Sequence, residues 1–234
     1  MSSKPSVPLT LAIAAATFTA VAGFAAASSS RVRVKSGSPP SIRLTYFAIQ
    51  GELEKVRLAL SLGHIDFTDV VVPFSEWKTM KPTTPYGQLP LMEVGGAPPM
   101  AQSYAMLRIA GRMAMDYNGI RIYADSDIEV IEEALGFVND IERSFYTALS
   151  LGISPAKHGY EKDSDESKDA IKRVREAWVT TSLPDFMKLL TKKLEGKKFL
   201  CGDKVRGAAC VLRYKIMPKP SLRISCSPRS PTAH

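Results

Sequence analysis

Apolar and polar positions alternate early in this chain and later recur at helical spacing. In "SIRLTYF", Ile42, Leu44 and Tyr46 fall on one face and Arg43 and Thr45 on the other, which predicts a half-buried strand. From Gly51, Leu53, Val56 and Leu60 recur as on a helix, and Gly63 supplies a stop. A second strand around "FTDVVVP" follows, then a polar connection holding Trp77 and Lys81. Next come a strand from Leu89 to Val94, a Gly95-Gly96 turn, a short strand ending near Ala101, and a helix from "QSYAMLRIAGR". The order is βαβ followed by ββα. Pro90 sits oddly in it, because a proline cannot donate to a sheet ladder.

Beyond a break at Gly119 the periodicity is helical throughout. Ile128, Ile131, Leu135, Val138, Ile141 and Phe145 recur at three- and four-residue steps, an amphipathic stripe that needs a partner. "SPAKHGYEKDSDES" reads as a polar loop. A second long helix runs on to "KKLEG", and Pro184 is expected to bend it.

Charge changes the picture only at the ends. The net charge of +8 comes from residues 1–41 and 204–234, which carry four and seven basic residues and no acid. The middle, 42–203, holds 20 basic and 23 acidic residues, a net of −3, so no nucleic-acid partner is expected for the body of the protein. Cys201, Cys210 and Cys226 lack CxxC or zinc spacing, and no metal is expected. Lys4 precedes the apolar run of residues 9–27, which closes in small residues and a Ser- and Arg-rich stretch. That pattern predicts a secretory signal, with a plastid presequence as a further reading and an uncleaved membrane anchor as the alternative.

Three blocks, "LTYF" with the helix after it, "TPYGQLPLMEVGG" and "AQSYAMLRIAGR", resemble the glutathione S-transferase family. Within it they are most similar to the sigma-like class, to which glutathione-dependent prostaglandin D synthases belong. The resemblance implies an α/β thioredoxin-like domain over 42–118 and an all-α helical domain over 119–204, after a targeting segment and linker at 1–41. It implies that the Leu89–Pro90 bond is cis, so that Leu89 turns its backbone toward a peptide-like ligand. Gln102 and Ser103, at a helix start, would hold the γ-glutamyl end of glutathione, since free N–H groups there suit an anion. Trp77 and Lys81 would meet the glycyl end. Tyr46 would be catalytic, its phenol stabilising the thiolate, because a thiol with pKa near 8.5 is mostly protonated at neutral pH. Many members have an Arg in the turn after the first strand, where this chain has Glu52. Glutathione is thus the expected co-substrate, a hydrophobic electrophile the acceptor, and a homodimer the expected assembly. The acceptor would lie between the halves, near Tyr104 and Phe145.

The resemblance stops near Val205. "RGAACVLRY" lacks the family's capping residues, and the prolines and aperiodic polarity of 205–234 predict a divergent, disordered tail. A misread gene end would produce this, and so would a genuine short variant. The C-terminal helices are then incomplete, Val174, Trp178 and Phe186 lose apolar neighbours, and activity is impaired. The chain reads as a transferase that attacks or isomerises a hydrophobic electrophile, with a non-catalytic glutathione-binding protein as the alternative.

Overall fold

The computed structural model describes residues 35–203 and Arg206. Residues 1–34, 204–205 and 207–234 lie outside the described residues, and with them the signal, anchor and gene-end expectations drawn for 1–41 and 205–234.

β1 (Ile42–Tyr46) is the middle strand of three. It pairs in parallel with β2 (Thr68–Val71) and antiparallel with β3 (Leu91–Val94), Ile42 standing opposite Val94 and Tyr46 opposite Val71. The crossover between the parallel strands is a 3-10 turn, Gly51–Leu53, leading into α1 (Glu54–Leu62). The expected fourth strand is reduced to one bridge between Met92 and Met100. Pro98 and Pro99 precede it, and without N–H groups they cannot carry a ladder further. The polar connection is in fact helical over α2 (Phe74–Met80), which has no buried residue.

α3 (Ser103–Asn118) packs on α1 over the inner face of the sheet. Its stop is Gly119, whose φ of 65° is left-handed and suits a residue without Cβ. Leu44, Leu53, Val56, Leu60, Met106 and Leu107 form the centre of the core. α4 (Ile128–Ile153) inserts Ile131, Leu135 and Val138 into that same cluster, so apolar burial runs unbroken from β1 into the helical half. Each such side chain contributes about 1.5–3 kcal/mol of transfer free energy.

α5 (Asp165–Ala177) is capped by Ser164, whose hydroxyl accepts from the Ser167 N–H at 3.1 Å. A π-helical stretch, Trp178–Ser182, joins it to α6 (Leu183–Leu194). The stretch ends just before Pro184, whose missing N–H cannot close the ladder, and it is the form the expected bend takes. Trp178 and Phe186 do find partners, contrary to expectation. The Trp178 ring meets Phe145 at 4.9 Å and its N–H donates to the Ser144 hydroxyl at 2.9 Å, while Phe186 meets Phe137 at 5.8 Å. This layer is nonetheless thin, with only Ser167, Ala170 and Leu190 buried on α5 and α6. Among the described residues no helix is long and apolar enough to cross a membrane.

Candidate functional site

A cavity of about 250 Å³ opens where the β3 entry, the start of α3 and one face of α4 meet. Leu89, Pro90, Gln102 and Ser103 line it together, with Gln88, Glu52, Tyr104, Asn139 and Glu142. Four of the seven residues singled out from sequence are thus gathered at one place. The Leu89–Pro90 bond is cis, as expected. Gln102 takes φ 79° and ψ 95°, a conformation a non-glycine residue holds at a cost of about 1–3 kcal/mol, and it sets the start of α3 at the cavity. Its side-chain amide donates to the Gln88 carboxamide oxygen at 3.2 Å, tying the two loops. The first N–H groups of a helix lack intrahelical acceptors, so the cavity receives the positive end of α3. Ser103 does not cap its own helix; its hydroxyl donates to the Glu52 carboxylate at 3.3 Å.

Tyr46 stands at the end of β1, only 7% exposed and outside the cavity lining. Its hydroxyl accepts from the Glu52 N–H at 3.2 Å, in the turn that brings Glu52 to the cavity. Gly51 makes that approach feasible: with φ 44°, a Cβ there would fall 2.5 Å from the phenol oxygen. Thr45, on the opposite face of the strand from Tyr46, is buried against a separate cavity of about 380 Å³. Trp77 and Lys81 do not line the site cavity. Trp77 sits edge-on to Phe47 at 5.7 Å, and Phe47 lies 5.4 Å from Tyr46, so Trp77 reaches the catalytic candidate through one intervening ring. Lys81 is exposed beside Gly87.

Sequence reasoning missed Lys55, Asn139 and Glu142. Lys55 is 1% exposed, a burial that lysine tolerates only when paired. Its ammonium contacts the Glu52 carboxylate, lies 3.6 Å from that of Glu142, and stands 4.3 Å over the Tyr104 ring. Burial pushes the Tyr104 phenol far above its ordinary pKa of 10, and the Glu142 and Glu52 carboxylates push the same way. Tyr104 therefore remains protonated at neutral pH. Phe145, expected at the acceptor site, packs on Trp178 instead. Burial likewise raises the Cys201 thiol, which disfavours thiolate chemistry there. Among the described residues, no group of His, Cys, Asp or Glu side chains is arranged to hold a metal.

No protein-family model matches the chain. It is 28% identical over 182 residues to glutathione S-transferase 4 of Caenorhabditis elegans, covering 74% of this chain and 77% of the relative. It is 35% identical over 110 residues to a probable glutathione S-transferase 7 of the same organism, across 47% of this chain and about half (52%) of the relative. Among solved structures, the glutathione S-transferase of Ascaris lumbricoides superposes with a TM-score of 0.59 at 26% identity, over 75% of this chain and 78% of the other. A prostaglandin synthase D of Nilaparvata lugens gives 0.59 at 25%, over 74% and 77%. The chain has the fold of these proteins, and sequence relatives and solved structures together support its place in the glutathione S-transferase family.

Proposed function

We propose that the protein is a sigma-like glutathione transferase in which Tyr46 stabilises the glutathione thiolate for attack on, or isomerisation of, a hydrophobic electrophile. The carrying observation is the convergence of Leu89, Pro90, Gln102 and Ser103 on one cavity at the N-terminus of α3. A peptide with a carboxylate at one end suits that arrangement: the helix end favours the anion, and the loop before β3 offers backbone to the peptide. Tyr46, at the end of β1, lies against the adjoining turn, where its hydroxyl accepts the Glu52 N–H. Trp77 and Lys81 serve the glycyl end in this reading, supported by the aromatic chain from Trp77 through Phe47 to Tyr46. A homodimer and a division into domains at 42–118 and 119–204 belong to the same proposal, the left-handed Gly119 marking the boundary.

The burial of Tyr46 favours a second reading, a glutathione-binding protein without turnover. Retention on immobilised glutathione together with turnover of an aryl halide supports the enzyme, and retention alone supports the binder. Within the enzyme reading, Tyr46→Phe leaves glutathione affinity unchanged and lowers turnover roughly 10²-fold, as loss of one anion-stabilising donor does. An unchanged thiolate pKa in that variant, followed by ultraviolet absorbance, would rule Tyr46 out.

A further inference from the structure

We propose that Lys55 is a positioning residue of this site: its buried ammonium holds the Glu52 and Glu142 carboxylates, from the two halves of the protein, in the wall of the cavity. This rests on the reading of the cavity as a glutathione site. Lys55 itself does not line the cavity, whereas both of its carboxylate partners and Tyr104, whose ring it faces, do. Glu52 lies in the turn after β1 and Glu142 on α4, 90 residues later. Two carboxylates in one small cavity repel, and a side chain reaching up from α1 between them offsets that repulsion without occupying ligand space.

The arrangement extends to the residues expected to touch ligand. The Glu52 carboxylate held by Lys55 also accepts from the Ser103 hydroxyl, at the first residue of α3. The Glu52 N–H donates to the Tyr46 hydroxyl. One ammonium thus acts on both expected ends of the chemistry, through the side chain of Glu52 on one and its backbone on the other. Lys55 contributes by charge, since it compensates two anions while making no ligand contact.

Calorimetry with glutathione on the full chain tests this. Lys55→Met is expected to weaken glutathione binding at least about tenfold, because it leaves two carboxylates at one cavity facing each other without the cation between them. Lys55→Met combined with Glu142→Gln keeps the cluster's formal charge at −1 and is expected to return affinity to within about threefold of the unsubstituted protein. A purely structural role would give no such rescue. If the single variant does not fold, the double variant decides: binding within that range supports the role, while a folded double variant that binds tenfold more weakly overturns it. Failure of both to fold makes Lys55 a stability residue and overturns it too. Unchanged affinity in Lys55→Met overturns the positioning role alone, whereas no binding by the unsubstituted protein overturns the glutathione reading and this role together.

Discussion

Two polar bridges join the sheet-bearing half to α4, and they are built on opposite terms. In the first, Arg108 of α3 grips the Glu132 carboxylate with two donors, at 2.8 and 2.5 Å, and the Tyr123 hydroxyl donates to the same carboxylate at 2.7 Å. Both charged side chains keep about a third of their surface in water, 34% and 37%. In the second, the Lys55 ammonium is 1% exposed and shared between two carboxylates that face a cavity. The first bridge is geometrically closed and wet. The second removes a charge from water, where its attraction must offset a large desolvation cost. A fold that needed only to fasten its halves could have used the first design twice, so the difference points to a demand at the cavity beyond cohesion.

The largest expected effect is at the buried bridge. Lys55→Met should destabilise the protein by about 3 kcal/mol, the lower end of the range for breaking a buried pair, because Glu52 retains access to water. Urea unfolding measures it, and a loss no larger than that at an exposed pair would erase the contrast. Arg108→Met should cost less, on the order of 1 kcal/mol after screening, and should leave glutathione affinity unchanged. A parallel loss of affinity would mean that the two bridges are not functionally distinct. Tyr104 sharpens the comparison spectroscopically: since burial keeps its phenol protonated, Tyr104→Phe should leave the tyrosinate absorbance that develops near pH 10 unaltered. Loss of one tyrosinate's worth of signal there would show that the cluster is open to solvent.

The smallest effect is a pH dependence at the wet bridge. The hydrogen bond from Arg108 holds the Glu132 carboxyl below its ordinary value of 4.5. A carboxyl depressed on folding adds stability above that ordinary value and loses it as pH falls through the lower folded value. Stability measured from pH 6 downward should therefore fall less steeply in Glu132→Gln. Identical slopes in the two proteins would remove this contribution.

The strands, α1, α3 and α4 were legible because their apolar positions keep one period each, whereas "GQLP" and "AQS" pointed to a site only through their resemblance to glutathione S-transferases, since a lone proline or a Ser at a helix start does not mark one. Lys55 was not legible. It stands one residue before Val56, at the edge of the apolar stripe, where an isolated lysine is ordinarily a solvated neighbour, and its second partner lies 87 residues away on another helix. Glu52 was visible only as a departure, an acid where an arginine is common. Its role emerges once the 3-10 turn places its backbone on Tyr46 and its carboxylate between Lys55 and Ser103. The lost fourth strand was readable in principle from Pro98 and Pro99. The packing of Trp178 and Phe186 on α4 was not, since two aromatics on one helix do not say which neighbour receives them.

Glutathione titrated calorimetrically into the full chain, beside the Gln102→Ala/Ser103→Ala double variant, tests the central claim most directly. These two side chains anchor the start of α3 at the cavity, so the unsubstituted protein should give a saturable isotherm and the variant one weakened about tenfold or more, as loss of two polar contacts implies. No binding by the unsubstituted protein, or equal affinity in the variant, would contradict the assignment of this cavity to glutathione.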